Sequence, residues 1–331
     1  MVAALVDPHN RTVRDLRISI TDRCNFRCTY CMPEEGMKWL PRDELLTYEE
    51  LTRVARVCVE RFGFDSIRLT GGEPTVRAHL PVLVRGLADL GVDLAMTTNG
   101  ATLTHQAADL ARAGLRRINI SCDSLRPDRF ASITRRDALE QVLAGIEAAV
   151  EAGLDPVKVN CVVVRGLNDD EIVDFAAYGR AKGVELRFIE WMPLDGGGTW
   201  SRSQVVPAEE ILAAIDAEWQ LVAPGGGGVR DSAPAESYTY ADGGGRVGVI
   251  ASVTRPFCES CDRIRLTAEG QLRNCLFSVR ETDLRGILRG GGSDDDVAAA
   301  VEAEVGRKWA GHSIGQVHFI RPARSMSQIG G

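Results

Sequence analysis

Cys24, Cys28 and Cys31 stand in one short run, Cys24-Asn25-Phe26-Arg27-Cys28-Thr29-Tyr30-Cys31. The spacing is CxxxCxxC. Three thiolates so placed can hold three irons of a four-iron cluster and leave the fourth open. An open iron can bind and reduce a small molecule rather than only pass electrons. Structural zinc usually takes four protein ligands, with CxxC as its short arm. The spacing therefore favours a cluster over zinc. A second set comes much later: Cys258-Glu259-Ser260-Cys261 is a CxxC, and Cys275 follows after 13 residues. As half of a zinc ribbon it would need a second CxxC or CxxH. The downstream candidates for a fourth ligand, His312 and His318, are poorly spaced. Two three-cysteine sets point to iron–sulfur chemistry at both.

Beside the second set lie Arg263 and Arg265, two residues apart on a predicted strand, where alternate side chains share a face. Arginine forks match phosphate oxygens bidentately. The adjacent metal site favours anion binding over a solvent-facing pair. Arg17 and Lys158 also fall within predicted strands. An unpaired charge facing a barrel interior is costly, and an anionic ligand would offset that cost. Outward-facing edge charges are the alternative.

The composition sets limits. The chain has 331 residues and 44% hydrophobic content, enough for one large or two medium domains. Its formal charge is −7 and its pI about 5.4, which argues against a general nucleic-acid-binding surface. Nine cysteines, an odd number, do not suit a secreted disulfide framework. The first ten residues lack a signal-peptide layout. No segment approaches the roughly 20 apolar residues needed to span a bilayer. The expectation is a cytoplasmic protein without membrane or nucleic-acid partners. Cys58, Cys122 and Cys161 lie outside the clusters, and Cys58 and Cys161 read as packing residues.

The elements that must position these groups alternate. Strands are predicted at Leu16–Thr21, Ser66–Thr70, Asp93–Thr98, Arg117–Ser121, Val157–Val164 and Glu185–Glu190. Helices are predicted at Thr47–Arg61, Leu80–Leu90, Thr104–Ala113, Ala138–Ala152, Asp169–Ala181 and Pro207–Ala217. Thr47 and Glu50 form a capping-box pattern, and Gly91, Gly114 and Gly153 sit at helix stops. Six βα units imply a parallel sheet with helices outside. They are too few for a closed eightfold barrel, so the fold class is α/β, an open partial (βα)6 TIM-type barrel. The cysteine run, Gly71-Gly72-Glu73-Pro74, Thr97–Gly100, Ser121–Ser124, Val164–Gly166 and Glu190–Pro193 all fall at carboxyl ends of strands, where barrel active sites are built.

After about residue 218 the pattern changes. Pro224–Gly228 and Asp242–Gly245 are Gly-rich, and strand-like runs recur at Val247–Ser252, Arg263–Thr267 and Gln271–Asn274. Glu281–Leu288 and Asp295–Lys308 read as helices. The expected division is 1–218 for the barrel and 219–331 for a smaller β-containing lobe carrying the second cysteine set. Neither Gly71-Gly72 nor the Gly225–Gly228 run matches a P-loop.

The cysteine run, with Tyr30 before its last cysteine, resembles the signature of radical S-adenosylmethionine (SAM) enzymes. Leu16–Cys28, Ile67–Arg77, Arg117–Ser121, Arg187–Met192 and the CxxC-x13-C segment together resemble the GTP 3′,8-cyclase family of molybdenum cofactor biosynthesis. That resemblance covers nearly the whole chain, including the closing Gly330-Gly331. It implies two [4Fe-4S] clusters. The first, on Cys24, Cys28 and Cys31, binds and cleaves SAM. The second, on Cys258, Cys261 and Cys275, binds the guanine end of GTP. It implies SAM contacts at Tyr30, Gly72, Ser121 and Met192. It implies GTP contacts at Arg17, Arg68, Thr97, Lys158, Arg263, Ile264 and Arg265, with Arg263 and Arg265 also serving catalysis. The 5′-deoxyadenosyl radical then removes H3′ of GTP, giving (8S)-3′,8-cyclo-7,8-dihydroguanosine 5′-triphosphate. A companion cyclic pyranopterin monophosphate synthase takes the product onward, and an electron donor is required. The Gly330-Gly331 tail resembles the family's mobile end, with a frayed terminus as the alternative. Oligomeric state stays open, a homodimer among the options.

Three other readings compete. A radical SAM enzyme with a peptide substrate would keep the first motif but not need the arginines and Lys158 together. An electron-transfer or regulatory iron–sulfur protein would usually supply four ligands to each cluster. A zinc module would be colourless.

Overall fold

The computed structural model describes residues 4–33, 36–194, 198–223, 232–314, 316 and 319–330. Pro224–Gly228, His318 and Gly331 of the sequence reading lie outside the described residues.

The first two thirds form six βα units. They run β1 (Asp15–Ser19), α1 (Tyr48–Phe62), β2 (Ser66–Thr70), α2 (Leu80–Ala88), β3 (Asp93–Thr98), α3 (Ala107–Ala113) and β4 (Arg117–Ser121). Two helices follow, α4 (Pro127–Thr134) and α5 (Leu139–Glu151). Then come β5 (Val157–Val163), α6 (Ile172–Lys182), β6 (Glu185–Glu190) and α7 (Ala208–Asp216). The remainder is β7 (Leu221–Val222), β8 (Glu236–Tyr240), β9 (Arg246–Ile250), β10 (Arg263–Leu266), β11 (Gln271–Arg273), β12 (Thr282–Asp283), α8 (Leu284–Arg289), α9 (Asp294–Val305) and α10 (Met326–Ile329).

Local chemistry explains the boundaries. Thr47 Oγ1 accepts the Glu50 N–H while Glu50 Oε2 accepts the Thr47 N–H, so α1 opens with the expected capping box. Gly63, at φ +71°, ends it in the left-handed conformation. The helix expected at Glu281–Leu288 starts later. Thr282 and Asp283 pair with β11, and the Asp283 side chain caps α8 through the Gly286 N–H.

All strands join one sheet in the order β12-β11-β10-β1-β2-β3-β4-β5-β6-β9-β8-β7. β1 to β6 are parallel neighbours in chain order, and β10 and β9 add parallel to β1 and β6. The ends do not meet, so the barrel is open. The strands after residue 219 are continuous with the barrel sheet and cover both of its edges.

The parallel strands alternate in character. Leu16, Ile18, Ile67, Leu69, Ile118, Ile120 and Phe188 are fully buried against the outer helices. The inner face carries Arg17, Arg68, Asn119, Lys158, Asn160 and Arg187 instead. A parallel sheet covered on both sides normally reads as continuous apolar runs. The polar inner rows mark a lumen built for a polar ligand. Cys58 and Cys161 belong to the apolar core, as their sequence patterns indicated.

Candidate active site

The first cysteine loop follows β1. Its three thiols are free, half-buried and border one cavity of about 300 Å³. The Cys31 and Met32 N–H groups both donate to the Cys28 carbonyl, at 2.9 and 3.0 Å. Cys24 Sγ accepts the Phe26 N–H at 3.3 Å. Arg27 Nη1 donates to the carbonyls of Cys24 and Phe26 at 2.6 and 2.7 Å. Helix α4 backs the loop: the N–H groups of Arg27 and Thr29 donate to Thr134 and Ile133, and Phe26 packs edge-on against Phe130. Sequence reading left 127–134 unassigned, because a helix this short carries little periodicity.

Burial pushes the Cys24 thiol up to about 11, with Glu73 adding to it, and the Cys31 thiol up to about 12, with Cys24 adding to it. Thiols held together this way resist ionising until a cation compensates them. Among the described residues, no three ligating side chains converge on a point fit for a single ion. The three thiols border one common space, where a shared metal centre could supply that charge.

Gly71 and Gly72 stand where β2 ends. A Cβ on Gly72 would lie 2.4 and 2.5 Å from the carbonyl oxygens of Arg23 and Asp22. The missing side chain thus lets two loops touch, a cause distinct from close approach to a ligand. Glu73 locks the contact from below. Its fully buried carboxylate accepts from the Thr75 N–H and Oγ1, Thr98 Oγ1 and the Asn99 N–H. Asn99 Nδ2 then reaches Asn25 Oδ1 at 2.7 Å. Tyr30 donates through Oη to Asp123, whose other oxygen accepts the Val162 N–H at 2.8 Å. Gly72, Tyr30, Ser121, Thr97 and Met192 all border the cavity.

The arginines form a row. β10, β1 and β2 place Arg265, Arg17 and Arg68 in direct register. Burial, then the Arg17 charge, lowers both Arg68 and Arg265 to about 9. Burial lowers Arg17 as well, while Asp15 opposes. Guanidinium stays protonated even so, and the row is left in need of an anion. Among the described residues, Arg17 pairs with Asp15, 3.8 Å away. Arg68 Nε and Nη1 are buried without a hydrogen-bond partner among the described residues. Arg263 borders the cavity too and donates through Nη1 to Cys261 Sγ at 3.6 Å.

Two expected contacts sit differently. Ile264 is wholly buried in the apolar core on the outer face of β10, so only its backbone is available to a ligand. Lys158 lies on the inner face of β5, one inward position before the cavity-bordering Asn160, and is not itself part of the lining. Burial, then Arg187, lowers its ammonium to about 8. Arg187, held by Glu185 Oε1 at 2.7 Å, does border the cavity. It stood inside a matched motif, but only the inward parity of β6 marks it.

Cys258, Cys261 and Cys275 line the same cavity from the C-terminal strands. His312 borders it as well, and its Nδ1 accepts the Ile314 N–H at 3.4 Å. The tail enters too. Met326 and Ser327 border the cavity, and the Gly330 carbonyl accepts from Arg265 Nη1. A Cβ on Gly330 would meet Thr70 Cγ2 at 2.7 Å. The described end of the chain is therefore seated, not frayed.

Comparison with known proteins follows this geometry. The Radical SAM superfamily model matches residues 18–179, and the Molybdenum Cofactor Synthesis C model matches residues 184–314. The GTP 3′,8-cyclase of Streptomyces coelicolor is 49% identical over 329 residues, covering 99% of this chain and 96% of that protein. That of Mycolicibacterium smegmatis is 50% identical over 335 residues, covering 99% and 92%. The chain belongs to the GTP 3′,8-cyclase family. With that family come radical SAM chemistry, a [4Fe-4S] cluster and SAM. Streptococcus suis SuiB matches in fold, with a TM-score of 0.61 at 12% identity over 85% of this chain and 69% of SuiB. No helix among the described residues is long and apolar enough to cross a membrane.

Proposed function

We propose that this chain converts GTP to (8S)-3′,8-cyclo-7,8-dihydroguanosine 5′-triphosphate, the first step of molybdenum cofactor biosynthesis. The observation that carries this reading is one cavity bordered by both cysteine sets and by Arg265, Arg17 and Arg68. The cofactors supply reductive cleavage of SAM to a 5′-deoxyadenosyl radical, which removes H3′ of GTP. The chain's own residues do the rest. Cys24, Cys28 and Cys31 hold the first cluster in a loop braced by α4. Tyr30, Gly72, Ser121 and Met192 surround the SAM side. The arginine row, with Arg263, receives the triphosphate and offsets its charge, and Lys158 adds positive charge from the inner face of β5 behind the lining. Thr97 borders the ribose side, and the Ile264 backbone lies between the two arginines of β10. Cys258, Cys261 and Cys275 hold a second cluster that engages guanine. The buried walls exclude water from the radical.

Residues 1–218 act as the barrel and 219–331 as the part that carries the second cluster and closes both sheet edges. The enzyme draws on an electron donor, and its product passes to a cyclic pyranopterin monophosphate synthase. A homodimer is compatible with this reading.

The test is reconstitution with iron and sulfide without oxygen, reduction, and addition of SAM with and without GTP. Mass spectrometry should show 5′-deoxyadenosine together with a cyclic product of GTP mass. 5′-Deoxyadenosine without GTP conversion would move the substrate to a peptide. Neither product, despite intact clusters, would favour electron transfer.

A further inference from the structure

Lys308 is buried, 4% exposed, directly behind the second cysteine set. Its Nζ donates to the carbonyls of Arg263 and Asn274, each at 2.7 Å, and to Cys261 Sγ at 3.7 Å. An ammonium has three protons to donate, and these partners use all of them. Among the described residues no carboxylate pairs with it. A buried ammonium without a counter-charge is expensive. The sulfur is the one group in contact that can carry negative charge.

The lysine also sits at the start of a segment that packs around the second cysteine set. Arg11, itself buried and paired with Asp7 at 2.5 Å, donates to the carbonyls of Trp309 and Ala310 and to the Cys258 carbonyl. A Cβ on Gly311 would lie 2.9 Å from Cys258 Cβ. The Asn274 carbonyl bound by Lys308 immediately precedes Cys275. Residues 308–311 thus lie against Cys258 and Cys261 and bind the backbone beside Cys275, and Lys308 adds a formal positive charge to that of Arg263 at Cys261.

We propose that Lys308 is a cationic partner of the second cysteine set, alongside Arg263, a positioning residue that tunes the charge and reduction potential of the cluster held there. This rests on the second-cluster reading above. An N–H···S contact and a nearby positive charge favour the more negative, reduced state of an iron–sulfur centre and so raise its potential. Removing the ammonium lowers it.

The test uses full-length protein carrying Cys24→Ala, Cys28→Ala and Cys31→Ala, so that only the second site can hold iron. Iron and sulfide are counted, and the midpoint is read by potentiometric titration under argon with electron paramagnetic resonance. Lys308→Met should make the centre roughly tenfold more oxidised at the parent midpoint, a drop of about 59 mV for one electron. Lys308→Arg, which keeps the charge, should stay near the parent. Loss of iron from Lys308→Met with retention in Lys308→Arg would also support the charge role. A parent that binds no cluster would sink the second-cluster reading itself. A parent and Lys308→Met with the same midpoint would overturn this inference and leave that reading standing. Loss of iron from both variants would reduce Lys308 to packing and overturn it as well.

Discussion

Arg17 and Arg265 stand in direct register on adjacent parallel strands, although they come from opposite ends of the chain. After burial, the Arg17 charge lowers the Arg265 pKa, and Arg263 in turn lowers that of Arg17, an arrangement that is unfavourable until an anion arrives. Arg17→Ala should therefore weaken GTP binding about 10- to 100-fold, the worth of one charge-assisted hydrogen bond. SAM binding should change little. Equilibrium dialysis of both ligands against the anaerobic enzyme measures the split, and equal loss would make Arg17 structural.

The same strain makes a prediction without ligand. Arg68 has two buried nitrogens with no partner among the described residues. Arg68→Met should raise the stability of ligand-free protein by on the order of 1 kcal/mol while weakening GTP binding. Urea unfolding with and without GTP would show both effects, and a destabilised variant would argue that Arg68 is satisfied in solution.

Lys158 gives a pH dependence. Its folded pKa, about 8, lies below the ordinary lysine value, so folding disfavours the charged form. The cost is fully present below pH 8 and fades as pH rises toward 10. Lys158→Met should thus be more stable than the parent at pH 7, by about 1 kcal/mol once screening by lumen water is allowed for. The gap should close by pH 10. Parent GTP affinity should fall over the same interval as the ammonium is lost. A gap that stays constant from pH 7 to 10 would contradict this.

Gly72→Ala tests the loop contact. Its Cβ would press on two backbone oxygens of the cysteine loop. The expected cost is about 1–3 kcal/mol, with iron lost from the first site before the second. Iron counts on Gly72→Ala in Cys258→Ala and Cys24→Ala backgrounds separate the two sites.

The two cysteine sets should also fail differently. Cys24→Ala should abolish 5′-deoxyadenosine formation, whereas Cys275→Ala should keep some of it and lose the cyclic product. Normal product from Cys275→Ala would remove the second cluster from the reaction.

Much of this was legible in the sequence because it is local. β2, β3, β4 and β6 fall on the predicted residues, since period-2 alternation and flanking glycines are short-range signals. The capping box at Thr47 was readable for the same reason. What escaped depends on distant partners. Asp123 matters through Tyr30, Arg11 through Cys258, and Lys308 through Cys261. No local pattern separates such residues from solvent-facing charges. The edge positions of β9 and β10 were equally hidden, because strand pairing is set by tertiary contact and not by the strand's own sequence. Gly72 was readable as a close approach, but not what it approaches.

The placement of those two strands also bears on how the chain is made. A ribosome releases β1 to β6 long before β9 and β10. During that interval the nascent barrel presents two bare parallel edges, each able to recruit a neighbouring chain. Translation must run nearly to completion before either flank is sealed, so premature stops beyond β6 should yield insoluble fragments rather than a working half-enzyme.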